Sequence, residues 1–261
     1  MKQTKLIMGM PVTVEIVDSR AKASDFQEIF NYFQYIDDTF STYKQNSEIS
    51  KINKGLLTEK QYSSDLRTIF DLAERTRQET QGYFNIRYAG KIDPSGIVKG
   101  WAIYQASLLL KQRGFSHYYI DAGGDIQVAG CNSYRQPWTV GIRNPFNREE
   151  VVKIVSLKGK GIATSGTYIR GAHIYNPQDK TDTLSDIVSL TIIGPNVYEA
   201  DRFATAAFAM GKKGIAFIEK LSGFEGYMIE KDGTATLTNN FNSYVVNGRN
   251  NLEQRDINHL N

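Results

Sequence analysis

Asp201 and Thr205 stand four residues apart in Ala200-Asp201-Arg202-Phe203-Ala204-Thr205, so on a helix they share one face. A carboxylate beside a hydroxyl is a hard-oxygen pair. It suits Mg²⁺, which takes few protein ligands and completes its shell with water and phosphate oxygens. The same pair also has a local reading, with Asp201 capping or salt-bridging nearby and Thr205 bonding its preceding turn. A second segment, Asp93-Pro94-Ser95-Gly96-Ile97-Val98-Lys99-Gly100, is a Gly-bearing turn that feeds a helix start. Helix N-termini offer N–H groups and a positive dipole end to phosphates, and Lys99 adds a point charge. Gly159-Lys160-Gly161-Ile162-Ala163-Thr164-Ser165-Gly166 has the look of a dinucleotide loop, but its spacing is not G-x-G-x-x-G, so no Rossmann site is assigned. His173, in Arg170-Gly171-Ala172-His173-Ile174, is one of three histidines and follows a Ser/Thr/Gly-rich stretch. Its pKa suits a base near neutrality, although a lone histidine is more often structural.

These groups need elements to hold them. Val12–Ile16 alternates and is rich in β-branched residues, which predicts a strand. Ser24, with Gln27 three residues on, reads as the N-cap of a helix whose apolar stripe is Phe26, Ile29, Phe30, Phe33, Ile36 and Phe40. A second helix is expected from about Ser64 to Thr80, ending before Gly82, and a third from near Ile97 to Gly114. Strands are expected around Tyr118–Ile120, Ile126–Val128, Trp138–Ile142, Val151–Leu157 and Ile187–Ile193. Asn196 with Glu199 caps the helix carrying Asp201 and Thr205, and Gly211 follows its end. A short helix near Gly214–Leu221 and a hairpin across Asp232-Gly233 follow. Helices and strands mix without strict βαβ alternation, which favours α+β.

Composition narrows the function classes. The chain has 261 residues, 31 Lys+Arg against 28 Asp+Glu, and 41% apolar residues, an ordinary globular balance. No long basic run supports nucleic-acid binding. Cys131 is the only cysteine, so an intramolecular disulfide and a multi-cysteine zinc site are excluded. No stretch approaches 18 consecutive apolar residues, so membrane insertion is not expected. Leu6-Ile7-Met8 is too short for a signal-peptide core, which gives a cytoplasmic expectation, a trimmed export segment aside. The folded unit is expected over residues 1–246, as one domain of two intimately packed parts. Residues 247–261 form a polar, Asn-rich tail.

Taken in order, the segments Met8-Gly9-Met10-Pro11-Val12, Phe40-Ser41-Thr42-Tyr43, Ser47-Glu48-Ile49-Ser50, Gly82-Tyr83-Phe84-Asn85-Ile86 and Asp93–Gly100 are followed by Gly123-Gly124-Asp125, Ala163–Gly166, Gly171–Ile174 and Ala200–Thr205. This set, over roughly Met8 to Gly211, strongly resembles the ApbE family, the FAD:protein FMN transferases. The resemblance implies an α+β fold of mixed or antiparallel sheets packed with helices, with FAD in a cleft between two parts of the chain. It implies a Mg²⁺-dependent enzyme that cleaves the FAD diphosphate. FMN goes to a Thr or Ser hydroxyl of an acceptor flavoprotein, and AMP is released.

By the same resemblance, Asp201, Thr205 and the Gly96 carbonyl are magnesium ligands. Met8, Tyr43, Tyr83, Phe84 and Asn85 line the flavin and adenosine sites. Asp93 and Lys99 fix the ribityl or diphosphate part, with the Ala172 backbone alongside, and His173 matches the family's general base. The chain departs from the usual pattern at Asn85 and Asn176, where Asp is common, at Ser95 before Gly96, where Gly is common, and at Asp121, where Asn is common. The rival readings are an FAD diphosphatase, with water in place of the acceptor hydroxyl, and a non-catalytic flavin carrier. Asp201, Thr205 and His173 disfavour the carrier, since storage needs neither metal nor base.

Overall fold

The structure is a computed structural model and describes residues 1–147, 149–166, 177 and 186–246. Its framework is an eight-stranded, wholly antiparallel sheet in the order β1-β2-β5-β6-β9-β10-β11-β12. The strands are β1 (Lys2–Ile7), β2 (Met10–Ile16), β5 (Tyr118–Ala122), β6 (Asp125–Ala129), β9 (Gly161–Gly166), β10 (Ile187–Gly194), β11 (Glu225–Glu230) and β12 (Ala235–Leu237). Two hairpins stand apart from it, β3 (Arg87–Tyr88) with β4 (Lys91–Ile92), and β7 (Thr139–Arg143) with β8 (Val151–Ser156). Among the described residues the α-helices are α1 (Ala23–Phe40), α2 (Glu48–Asn53), α3 (Ser64–Glu79), α4 (Ser95–Gln112), α5 (Val197–Ala209) and α6 (Lys213–Glu219). The α+β expectation holds.

The period-2 alternation of the strands decides what each face of the sheet meets. On β6, Ile126 and Val128 turn to one face, where they join Trp138, Ile142 and Val155 of the β7–β8 hairpin. Asp125 and Gln127 turn to the other, towards the helices. The β2 residues Val12, Val14 and Ile16 bury against the α1 stripe of Phe26, Ile29, Phe30, Phe33 and Ile36, together with Leu66 and Ile69 of α3 and Ile97 and Trp101 of α4. Leu190 and Ile192 of β10 pack with Ala200, Phe203, Ala204, Ala207 and Phe208 of α5. The helices therefore cover one face and leave a gap between α4 and the loops around α1.

Helix ends follow the expected chemistry with one correction. Ser63 caps α3 by accepting the Leu66 N–H at 3.1 Å, and Asn196 caps α5 by accepting the Glu199 N–H at 2.9 Å. At α1, Ser24 already lies inside the helix. Lys22 holds the cap position, and the Asp25 carboxylate accepts its N–H at 2.8 Å. A carboxylate at the third helical position both satisfies that donor and sits favourably in the dipole field, so Asp25 does what Ser24 and Gln27 were expected to do. The stretch Gly161–Gly166, unassigned as an element from sequence, is strand β9. The weakly apolar Lys2–Ile7 is an edge strand paired to β2.

Candidate functional site

Helices α4 and α5 cross at Gly100. A Cβ there would stand 2.5 Å from Asp201 Cβ and 2.9 Å from Asp201 Oδ2, so only glycine permits this approach. The contact brings the Gly100 N–H to Asp201 Oδ2 at 2.8 Å. In a regular helix that N–H serves the carbonyl of Gly96, one turn earlier. The Gly96 oxygen in turn accepts from Thr205 Oγ1 at 3.3 Å and, having two lone pairs, keeps acceptor capacity. Asp201 is 4% exposed. Burial pushes its carboxyl pKa up; Lys99 pulls it back down, and neighbouring Asp125 adds to the rise. Asp201, Thr205 and Gly96 thus present hard oxygens to one spot.

Behind them lies the Gly-Gly-Asp turn between β5 and β6. Gly123 and Gly124 have φ of +64° and +97°, a conformation that residues with a side chain rarely adopt. The Asp121 carboxylate closes the turn by accepting the Gly124 N–H at 2.8 Å, and burial raises its pKa to about 6. Asp125 Oδ2 meets Lys99 Nζ at 2.6 Å, and its Oδ1 accepts the Thr164 N–H at 3.1 Å. Gln127, on the same face of β6, accepts the Val197 N–H at 2.9 Å and so ties down the first turn of α5.

The opposite wall is aromatic. Phe84 is buried, and its N–H goes to Thr80 Oγ1 at 3.1 Å. Asn85 Oδ1 takes the Arg87 N–H at 2.8 Å, spending its carbonyl on the local turn. Asn53 grips Ile92 through both amide atoms, at 2.9 and 2.7 Å, which sets the β3–β4 hairpin directly before Asp93. Asp93 Oδ1 accepts the Ser95 N–H at 3.0 Å at the start of α4. Tyr43 sits on the α1–α2 loop, where Ser41 Oγ accepts the N–H groups of Tyr43 and Lys44, both at 3.2 Å. Tyr43 is 94% exposed, so it is a rim residue and does not pack behind α1.

One cavity of about 1310 Å³ joins these walls. Met8, Tyr43, Tyr83, Phe84, Asn85, Asp93, Gly96, Lys99, Asp201 and Thr205 all border it. Ala172 and His173 lie outside the described residues, as does Asn176. Gly166 and Pro177, which flank that segment in sequence, both border the cavity. Asp125, Thr164, Ser165, Tyr88 and Lys91 were not singled out as site residues from sequence, although Asp125, Thr164 and Ser165 fall within quoted motifs. Among the described residues, no cluster of three or more His, Cys, Asp or Glu side chains is arranged for a metal. A cation here would rest on Asp201 with the neutral oxygens of Thr205 and Gly96. That sparse donor set fits Mg²⁺, which leaves several positions to water and phosphate.

The family profile described as the ApbE family matches residues 8–90 and 87–228. The chain belongs to the ApbE family. It is 31% identical over 171 residues to the FAD:protein FMN transferase of Salmonella typhimurium, covering 61% of this chain and 49% of that protein. The namesake from Escherichia coli K12 gives the same identity and coverage. The chain therefore spans about half the length of the curated relatives it matches. Among solved ApbE structures, the flavin transferase of Vibrio cholerae superposes with a TM-score of 0.81 at 22% identity, covering 94% of this chain and 98% of that one. The ApbE protein of Thermotoga maritima gives 0.82 at 20% identity, with 95% and 99% covered. Likeness at such identities establishes the ApbE fold. Among the described residues no helix is long and apolar enough to cross a membrane.

Proposed function

We propose that this chain is a Mg²⁺-dependent FAD:protein FMN transferase whose working unit is residues 1–246. The observation that carries the reading is the convergence on one cavity of hard oxygens, an ammonium and aromatic faces drawn from distant parts of the chain. The volume exceeds the ordinary small-ligand range of about 300–1,000 Å³ and suits a dinucleotide. The names of the curated relatives and of the Vibrio cholerae structure support the same activity.

In this reading Tyr43, Tyr83, Phe84 and Met8 hold the flavin and adenosine, while Asn85 hydrogen-bonds the cofactor as a neutral amide. Asp93 and Lys99 fix the ribityl–diphosphate portion, with the Ala172 backbone alongside. Asp201, Thr205 and the Gly96 carbonyl hold Mg²⁺, which supplies neutralisation of diphosphate charge. The acceptor Thr or Ser oxygen attacks the FMN-side phosphorus, and the bond from that phosphorus to the bridging oxygen breaks. AMP departs with the bridging oxygen, and FMN is left in phosphodiester linkage. His173 takes the hydroxyl proton, a role worth about 10²–10⁴-fold for a positioned base.

The test is incubation of the purified chain with FAD, Mg²⁺ and a candidate acceptor flavoprotein, following AMP and the acceptor's mass, and repetition with Asp201→Ala. The account expects AMP release from the parent, its loss with EDTA, and its loss in the variant with the fold retained. Full activity of Asp201→Ala in EDTA would sink the metal assignment.

A further inference from the structure

Ser165 of β9 is 7% exposed and borders the cavity. Strand alternation puts its side chain on the helix side of the sheet, together with Ala163 and opposite Leu190 of β10, both of which pack with α5. The cavity lies on that side, bordered by Gly96 of α4 and by Asp201 and Thr205 of α5. Thr164, one residue earlier, turns the other way and brings its Oγ1 to 2.8 Å from Thr191 Oγ1. The Ser165 hydroxyl makes no hydrogen bond among the described residues. A buried hydroxyl without a partner is unfavourable, and a cavity-facing one finds its partner in whatever fills the cavity.

The contacts of Asp125 say which part of a ligand Ser165 meets. Asp125 Oδ1 accepts the Thr164 N–H at 3.1 Å, and its Oδ2 pairs with Lys99 Nζ at 2.6 Å. One carboxylate therefore anchors both the main chain directly before Ser165 and the ammonium of Lys99. An anion drawn to Lys99 is brought to the neighbourhood of Ser165. Strand β9 lies between β6 and β10, so the hydroxyl stands on a rigid element. A serine hydroxyl rotates its proton to suit its acceptor, and bonds to an ionised acceptor are the strong ones. We propose that Ser165 is a further binding residue, whose hydroxyl donates a hydrogen bond to a diphosphate oxygen of the dinucleotide beside Lys99. This rests on the reading of the cavity as an FAD site.

The experiment measures binding of FAD, and of riboflavin, which has the flavin and ribityl chain but no phosphate, to the full chain by flavin fluorescence. The proteins are the parent, Ser165→Ala and Ser165→Cys, each titrated at several Mg²⁺ concentrations and melted without ligand. Ser165→Ala should weaken FAD binding about tenfold, the loss of a hydrogen bond to a charged group. Riboflavin should bind parent and variant alike. The ligand-free melting temperature should hold, since the hydroxyl has no protein partner to lose. Cysteine keeps the volume but donates weakly, so Ser165→Cys should behave as Ser165→Ala does and carries the test if the alanine variant fails to fold. Parental FAD affinity in both variants would overturn the proposal, as would an equal loss for riboflavin. A ligand-free melting temperature several degrees lower would assign the hydroxyl to the fold. A loss of FAD affinity that closes at saturating Mg²⁺ would assign it to the cation, and either result overturns the proposal. A parent that does not bind FAD would refute the functional reading itself, which the variants do not bear on.

Discussion

The N–H of Gly100 and the Oδ2 of Asp201 meet at 2.8 Å between two helices that pack too closely for any side chain at residue 100. This contact sets the depth at which the Asp201 carboxylate stands, and with it the spacing to Thr205 and the Gly96 carbonyl. The hydrogen bond links the packing of α4 on α5 directly to the chemistry at the cavity floor.

Gly100→Ala tests that link. The new methyl group would overlap Asp201 and the Val197 carbonyl, and overpacking of this kind costs about 1–3 kcal/mol. The variant should melt a few degrees lower and release AMP from FAD more slowly at every Mg²⁺ concentration. Parental turnover with an unchanged melting curve would mean that the crossing tolerates a side chain and does not set the site.

Asp121 gives a pH signature. Its folded pKa of about 6 lies above the ordinary 3.8, so the folded chain holds more protons than the unfolded one between those values. This group's contribution therefore falls as pH rises through that window and is fully unfavourable above it. Asp121→Asn keeps the acceptor for Gly124 and removes the charge. It should stabilise the chain on the order of 2 kcal/mol at pH 7.5 and by almost nothing near pH 4. Thermal melts of both proteins across that range decide it, and an equal gain at both ends would contradict the assignment.

Arg202, 3% exposed, bonds Glu79 and Thr76 of α3 and Glu199 of its own helix, and so ties α5 to α3 beside Asp201. Arg202→Met leaves the half-buried Glu199 without its cation and Glu79 with Arg75 alone. The loss should be about 2–3 kcal/mol, below the fully buried limit because both partners retain some water. Chemical denaturation measures it. A loss under about 0.5 kcal/mol would place the pair with ordinary surface bridges.

Tyr43→Ala should weaken FAD binding by about 1 kcal/mol, roughly fivefold, and leave turnover at saturating FAD near the parent's. An exposed rim ring has little packing to lose, so the melting temperature should hold. A lower melting temperature with unchanged FAD affinity would reverse the assignment.

What the sequence made legible was local. The α1 stripe, the Asn196 cap of α5 and the Asp201–Thr205 face each depend on residues within one or two turns. The edge strand Lys2–Ile7 was missed because only Ile7 of its six residues is buried, and main-chain pairing to β2 holds the rest. Gly161–Gly166 looked like a loop because its glycines and hydroxyls carry no strand periodicity. It is a strand because β6 and β10 lie on either side of it. The Gly-Gly-Asp motif was visible, but the contacts of Asp125 were not, since Lys99 and Thr164 reach it only after folding. Ten of the residues named from the family resemblance do meet at one cavity, which local periodicity alone would not have brought together.

The central claim is group transfer from FAD to a protein hydroxyl, and intact-mass spectrometry of a candidate acceptor flavoprotein co-expressed with this chain tests it most directly. The account predicts an added mass of one FMN less one water, mapped by peptide fragmentation to a Thr or Ser. The adduct should be absent when Asp201→Ala replaces the parent and reduced when His173→Ala does. Release of AMP and free FMN, with no adduct on any acceptor supplied, would contradict transfer and leave a diphosphatase.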